Sequence, residues 1–397
     1  MKVLVLNCGS SSIKFQLIDM DDEKVLQKGV YERVGTKEAF LTVKVDGKKI
    51  KVEKPALNHV EGIKVIFSEL LNEEYGKLSS LDELDAVGHR VVHGGEKFAE
   101  SVLITDEVKE AIKENIPLSP LHNPAGLAGI EAVEEVAKGK PNVAVFDTAF
   151  HQTMDEKAYI YNIPYEYYEK YRVRRYGFHG TSHRYIANRV RELLGEDNSK
   201  RIISCHIGQG ASIAAVKDGK SIDTSMGFTP LAGIPMGTRS GDIDPSIIKF
   251  LMDKEGLSIE EVDNMLNKKS GALGVSGVSS DFRDVESAAK EGNKRAKLAL
   301  DANAYQTAKV VASYMATLGG ADVIAFAGGV GENGQATRSD ICKYLEFAGV
   351  KIDENLNDVK GEERKISTED SKVEVWIIPT NEELMIARDT KNIVENN

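Results

Sequence analysis

A chain of 397 residues exceeds the roughly 250–300 residues at which a single core stops growing, so two domains are expected. Its 41% apolar and 28% charged residues are ordinary globular usage and exclude a disordered, collagen-like or disulfide-knot protein. With 51 basic against 62 acidic residues and a net charge of −11, no overall field recruits nucleic acid or an anionic membrane, and any phosphate binding must be local.

Val3 to Leu6 reads as a strand, Asn7 to Ser12 as a glycine and serine turn, and Ile13 to Ile18 as a second strand, together a hairpin with a polar tip. The start, MKVLVLNCGSSS, enters this strand without the apolar core of a signal peptide, and no apolar run approaches the ~18 residues of a membrane span. A cytoplasmic address is expected. Ala86 to Val92 is the next strand. Asn123-Pro124, followed by Leu127, Ile130 and Val133, predicts a helix capped by Asn123 with Pro at its first position. Val143 to Phe146 is a strand ending at Asp147. Near mid-chain, apolar Ile202 to Cys205, the turn His206 to Gly210 and strand-like Ala211 to Val216 repeat the opening pattern at an offset of about 199 residues, which predicts a duplicated nucleus. A helical stretch from about Val285 to Leu318 precedes the strand Val323 to Ala327 and the turn GGVGENG. A last strand, Val373 to Ile378, leads into a helix starting near Thr380. Strands alternating with helices predict α/β layering with largely buried sheets and a boundary near residue 150. Cys8, Cys205 and Cys342 have no paired spacing, so neither a disulfide framework nor a zinc site is expected.

Three glycine-rich turns, at 7–12, 206–210 and 328–334, each directly follow an apolar strand. Glycine lets backbone N–H groups approach an anion, and hydroxyls such as Ser10 and Ser12 or a lysine complete the neutralisation. Lys14 shares the strand face of Ser12, within reach of a phosphate at the tip. Two decoys fail. Ala214 to Ser221, AAVKDGKS, lacks the first glycine of a GxxxxGKS loop and lies in a strand-turn context. Gly329 to Gly334 matches GxGxxG with Asp353 beyond it, but a dinucleotide reading leaves both earlier loops unused and no second mononucleotide half follows.

The remaining unusual strings are GHRVVHGGE (88–96), PLHNP (120–124), VFDTAFHQT (145–153), RRYGFHGTSHRY (174–185), GTRSGDIDP (237–245) and PTNEEL (379–384). Phosphoryl transfer needs these types: cations for the equatorial oxygens, donors that hold the group in line, and carboxylates or amides that place a cation. His89 and His93 are four apart but sit on a strand with no third ligand nearby, so packed or surface histidines are expected, not zinc. Thr181 or Ser182 reads as an N-cap, so His179 and His183 flank a helix start and need not share a face. Thr380 and Glu383 have capping-box spacing. The tyrosine-rich stretch Tyr159 to Tyr176, with Arg172, Arg174 and Arg175, reads as a domain or subunit interface in so acidic a chain.

NxGSSSxK, RxVHGG, PLHNP, FDTAFH, RYGFHGTSH, MGxRSGDxDP, GGVGEN and PTNEEL occur here in that order. On these strings the chain resembles, over essentially its whole length, the acetokinase family of the acetate and sugar kinase, heat-shock chaperone ATPase and actin superfamily. The resemblance implies an α/β, two-domain duplicated ribonuclease-H-like (actin-like ATPase) fold with nucleotide in the interdomain cleft. The N-terminal domain would take 1–150 plus 385–397, and the C-terminal domain 151–384 with the adenosine-binding loops. It implies reversible transfer of phosphate from ATP to acetate, giving acetyl phosphate and ADP, with a homodimer as the family expectation. By the same resemblance Asn7 and Glu383 belong to a magnesium site that manganese can share, and Lys14, Ser10 and Ser12 contact ATP. Arg90 pairs with the substrate carboxylate, Asp147 has an active-site role, His179 and Arg239 stabilise the transition state, and His122 lies in the same site. His206, Ile207, Gly208, Gln209 and Gly210, then Asp281, Phe282 and Arg283, then Gly329, Val330, Gly331, Glu332 and Asn333 are the phosphate and adenosine loops. Val92, Leu121, Phe178 and Pro230 would line a small apolar pocket around the methyl group.

The implied chemistry is coherent. A carboxylate is already nucleophilic at pH 7, so no general base is needed, and cations must mainly overcome repulsion between two anions in a direct in-line transfer. Asp147 then orients Arg or His instead of taking a proton. Cys8, Gln209 and Gly334 depart from the usual family strings, where serine, asparagine and serine are more common. Two alternatives remain open: a propionate or butyrate kinase, because one or two methylenes change binding by only about 1–3 kcal/mol, and a chaperone-like ATPase.

Overall fold

The computed structural model describes residues 1–120 and 122–397. The chain forms two compact units, Met1–Gln152 with Asn381–Asn397, and Thr153–Thr380. The final helix, Glu382–Glu395, thus belongs whole to the first unit.

The first unit is built on an eight-stranded sheet of β1 (Lys2–Cys8), β2 (Ser12–Asp19), β3 (Lys24–Glu32), β4 (Phe40–Val45), β5 (Lys48–Val52), β6 (Ala86–Val91), β7 (Val102–Leu103) and β8 (Asn142–Phe146), in the order β5-β4-β3-β2-β1-β6-β8-β7. β1 to β5 run as an antiparallel meander, while β1, β6 and β8 are parallel. The parallel part is apolar on both faces because helices cover it, as its composition predicts. One face meets the helices His59–Leu70 and Asn123–Val136 around Leu4, Leu6, Ile13, Phe15, Ile63 and Val133. The other face, with Val3, Val5, Val143 and Val145, is covered by Ile386 and Ala387 of the last helix. Gly88 permits that contact, since a Cβ there would collide with Thr390 and with Ile386.

The second unit repeats the plan. Its sheet comprises β9 (Arg201–Ile207), β10 (Ala211–Lys217), β11 (Lys220–Thr224), β12 (Val323–Ala327), β13 (Arg364–Lys365) and β14 (Glu374–Ile377), ordered β11-β10-β9-β12-β14-β13. β9 to β11 are antiparallel, and β9, β12 and β14 are parallel. The order β3-β2-β1-β6-β8 of one unit therefore matches β11-β10-β9-β12-β14 of the other, which is the duplicated ribonuclease-H-like arrangement. β1 and β9 are its equivalent first strands.

Four local expectations are corrected. The helical stretch expected over 285–318 is two helices, Phe282–Lys290 and Lys294–Leu318, broken where Asn293 caps the second by accepting from Arg295 and Ala296 N–H. GGVGEN is not a turn but the short helix Gly328–Asn333. Asn123 is the first residue of its helix, not its cap. The last helix is capped by Asn381, whose side chain accepts from Leu384 N–H, so Thr380 and Glu383 form no capping box.

Candidate active site

In the first unit, three adjacent parallel strands end together, and their carboxyl ends carry the polar residues, where open α/β sheets bind ligands. Asn7 is the penultimate residue of β1, Arg90 the penultimate residue of β6, and Asp147 directly follows β8. Arg90 Nε donates to Asp147 Oδ1 at 2.9 Å and Nη2 to Oδ2 at 2.6 Å, while Nη1 reaches Asn7 Oδ1 at 3.4 Å. Asp147 is 1% exposed and Arg90 20% exposed, so this bidentate pair is a fixed, largely desolvated object. Burial works against the Arg90 charge, but Asp147, then Glu382 and Glu383, raise its pKa overall. Lys14 lies opposite Asn7 in the β1–β2 register, on the same face.

Glu382 was not singled out in the sequence, yet its charge, like that of Glu383, is felt by Arg90. Burial pushes its carboxyl up to about 7, Arg90 and Lys14 oppose that, and Asp147 and Glu383 add to it. Its Oε1 is sealed from solvent and meets no hydrogen-bond partner among the described residues. Buried polar oxygens are rarely left so. Asn7 Oδ1 and the Glu382 and Glu383 carboxylates are hard oxygen donors, which fits a cation such as magnesium that takes few protein ligands and keeps waters or phosphate.

The hairpin tip carrying Ser10 and Ser12 is closed by Gly9 N–H donating to Ser12 carbonyl at 2.8 Å, and His59 Nε2 lies 2.7 Å from Gly9 carbonyl. The Cys8 thiol beneath it is buried and pushed up to about 12, so it stays protonated and unreactive. The PLHNP string acts through Asn123, whose amide accepts from His93 N–H at 3.1 Å and donates to His93 carbonyl at 3.0 Å, tying the two loops together. His122 holds the N-cap position of that helix, Val92 is buried, and Leu121 lies outside the described residues.

His89 and His93 are packed core histidines. Asn142 Nδ2 donates to Lys140 carbonyl, so its Oδ1 accepts from His89 Nε2–H at 2.8 Å. Burial pushes His89 down to about 4, below the ~6.5 of an exposed imidazole. Between those values the unfolded chain binds more protons, so stability falls as pH is lowered through that window. His89→Gln keeps an N–H for Asn142 and should lose about 2 kcal/mol less than wild type between pH 7 and pH 5. Thermal unfolding at the two pH values checks this; equal losses would contradict it.

In the second unit the two imidazoles of the RYGFHGTSH string, His179 and His183, come together with His206 of β9. The helix Gly180–Leu194 starts after His179, itself at the N-cap with φ 54°, a left-handed conformation that non-glycine residues rarely hold without support. Thr181 and Ser182 are not caps; they lie in the first turn. His179 and His183 both reach one serine: Ser212 Oγ is 2.9 Å from His179 Nδ1 and 2.7 Å from His183 Nε2. The His179 ring also stacks on His206, with centroids 4.2 Å apart. Ser182 Oγ lies 2.7 Å from His206 Nδ1 and 2.7 Å from Thr380 Oγ1.

Gly210 is the floor of this group. A Cβ there would stand 3.4 Å from His179 Nε2 and 3.5 Å from Arg239 Nη1. The missing side chain leaves room between an imidazole and a guanidinium. Arg239 Nη1 donates to Pro230 carbonyl at 3.3 Å and lies 3.8 Å from Met236 Sδ. Burial lowers its pKa, which makes it a cation suited to receive an anion.

Beside it a cavity of about 720 Å³ is lined by Gly208, Gln209, Phe282, Gly329, Val330 and Asn333, with Asp281 and Arg283 at its wall. Three segments singled out separately in the sequence therefore share one space. Gln209 Nε2 donates to Ser280 carbonyl at 3.1 Å, and Asp281 caps the helix Phe282–Lys290 while pairing with Arg283 at 2.5 Å. Gly328 has φ 75°, and a Cβ there would lie 2.8 Å from Ile207 carbonyl, so only glycine lets the helix follow β12 this closely. Not every loop residue faces the cavity. Glu332 turns to accept from Gly328 N–H at 2.9 Å and Thr380 N–H at 3.1 Å. Gly331 and Ile207 are buried, as is Phe178, and Pro230 is half-buried.

The sequence model of the acetokinase family matches residues 2–388. The chain is 60% identical over 398 aligned positions to the acetate kinase of Thermoanaerobacter pseudethanolicus, covering 100% of this chain and 99% of that one. It is 60% identical to the acetate kinase of Thermosipho melanesiensis, covering 100% and 98%. Among solved structures it resembles acetate kinase from Porphyromonas gingivalis at TM-score 0.95 and 51% identity, and a propionate kinase from Francisella tularensis at TM-score 0.93 and 43% identity, each covering 99% of both chains.

Proposed function

The chain belongs to the acetokinase family, and from that premise we propose that its kinase activity is direct in-line transfer of the γ-phosphoryl group of ATP to a carboxylate oxygen of acetate, giving acetyl phosphate and ADP. The reaction runs in both directions. The carboxylate oxygen forms the new P–O bond as the bond from phosphorus to the ADP oxygen breaks, and no proton need move.

The observation that carries this reading is the opening over Gly210, flanked by His179 and Arg239. A group with charge spread over its equatorial oxygens needs cationic donors at fixed positions in a desolvated place. His179 and Arg239 supply them, and the segments around the adjoining cavity hold the nucleotide through backbone N–H groups of Gly329 and its neighbours. Arg90, locked by Asp147, receives the acetate carboxylate, and Asp147 orients it and takes no proton. Asn7 and Glu383, with Glu382 beside them, would hold magnesium or manganese, which when bound neutralises phosphate charge. Val92, Leu121, Phe178 and Pro230 are assigned to the methyl group, with His122, Lys14, Ser10 and Ser12 as further polar contacts.

The reading extends to a cytoplasmic homodimer. All three cysteines are free thiols, as a reducing compartment keeps them. Tyr165, Tyr167 and Tyr171 are exposed on one short segment, a composition that suits a subunit interface.

Gly210→Ala separates fold from site. Its Cβ would meet neighbours at ordinary contact distance, so the melting temperature should stay, while the methyl group occupies the space between His179 and Arg239 and lowers kcat about 10–100-fold. Unchanged kcat would contradict the assignment.

Acyl-phosphate formation from ATP with acetate, propionate, butyrate and glycerol tests the reading as a whole. Acetate is expected to lead. Preference for propionate would keep the mechanism and move the error to the apolar pocket. Steady ATP hydrolysis without acyl phosphate would favour a chaperone-like ATPase.

A further inference from the structure

We propose that Ser212 is a positioning residue for the transfer step, its hydroxyl coupling the buried His183 to His179 and thereby setting which nitrogen of His179 carries the proton. This rests on the reading that His179 meets the transferring group.

A hydroxyl has one proton, so Ser212 Oγ, 2.9 Å from His179 Nδ1 and 2.7 Å from His183 Nε2, donates to one ring and accepts from the other. His183 is held on its far side too, with Nδ1 2.8 Å from Ser204 Oγ. Ser204, Ser212 and His183 are all 0% exposed and come from three different elements, β9, β10 and the helix Gly180–Leu194. Packing therefore fixes the whole line before any ligand binds.

Two proton arrangements satisfy it. In one, His183 Nε2–H donates to Ser212, Ser212 O–H donates to His179 Nδ1, and His179 carries its proton on Nε2. That nitrogen is the edge of the ring beside Gly210 and opposite Arg239. In the other, every bond reverses, and a neutral His179 presents a bare Nε2 lone pair to the same place. A phosphoryl oxygen over Gly210 is an anion, so it is stabilised by the first arrangement and repelled by the second. The stacking of His179 on His206 limits ring rotation, so the proton is aimed as well as chosen.

The isosteric pair Ser212→Thr and Ser212→Val tests this, since the two differ by a hydroxyl against a methyl group. Ser212→Thr should keep kcat within about threefold. Ser212→Val should lower kcat about 10–100-fold with KM for ATP and acetate within about threefold. In a His179→Ala background the Val substitution should add no further loss. Nitrogen chemical shifts of the His179 ring should report a proton on Nε2 in wild type and Ser212→Thr, and a mixture of tautomers in Ser212→Val. Equal kcat for the Thr and Val variants would overturn the proposal, and so would the same fold-loss in both His179 backgrounds, which marks a purely structural serine. Full turnover by His179→Ala alone would instead remove the underlying reading of that histidine, and the Ser212 proposal with it.

Discussion

Arg90→Ala is expected to lower kcat/KM for acetate about 10³-fold or more and to destabilise the first unit at the same time. The activity loss follows from removing the only guanidinium that closes on Asp147 at the ends of β1, β6 and β8 among the described residues. The stability loss has a separate cause. Asp147 is 1% exposed, and breaking a buried ion pair by removing one partner leaves an uncompensated charge that costs about 3–5 kcal/mol. The unfolding transition should move down by about 10 °C. Arg90→Ala combined with Asp147→Asn removes the orphaned charge and should recover much of the stability and none of the activity. Thermal unfolding and acyl-phosphate assays on both variants check this; recovered turnover in the double variant would contradict the role given to Arg90.

Arg239→Ala should give the opposite pairing of effects. Its guanidinium is met by a carbonyl and a thioether, and burial is the cause of its lowered pKa. Deleting a half-buried cation that has no acid bound to it among the described residues removes a desolvation cost, so the melting temperature should hold or rise. Turnover should fall about 10³-fold, because the charge that the site holds for an incoming anion is gone. A folded, nucleotide-binding and nearly inactive protein is the expected result. A variant that unfolds while the remaining folded fraction turns over normally would mark Arg239 as structural.

The strand–glycine turn–strand units at 3–18 and 202–216 were legible because both the apolar runs and the glycines are local signals, and their recurrence half a chain apart predicted the paired sheets. The meander of β3 to β5 was not read, since Lys24 to Val52 mixes charge with only weak alternation. Short-range competition explains the capping errors. Asn381 outcompetes Thr380 for the cap because Thr380 is already bonded to Ser182 and Glu332, contacts that lie 198 and 48 residues away. GGVGEN reads as a turn by composition, yet β12 and Ile207 force it into a helix start. Glu382 carries no signal of its own beside Glu383 in the sequence; only the fold shows its carboxyl desolvated by burial and under the charges of Arg90 and Asp147. Ser204 and Ser212 carry no motif at all. Their importance comes from strand register, which sets Ser212 opposite His206 and Ser204 opposite Ala214.

The most direct measurement uses acetate labelled with oxygen-18 in both carboxyl oxygens, together with ATP and magnesium, and follows the products by phosphorus NMR. Acetyl phosphate whose phosphorus shows the isotope shift of one bridging oxygen-18, formed in step with ADP, is the predicted result, because the acetate oxygen becomes bonded to phosphorus. ADP and unlabelled inorganic phosphate in equal amounts, with no labelled acyl phosphate, would contradict it.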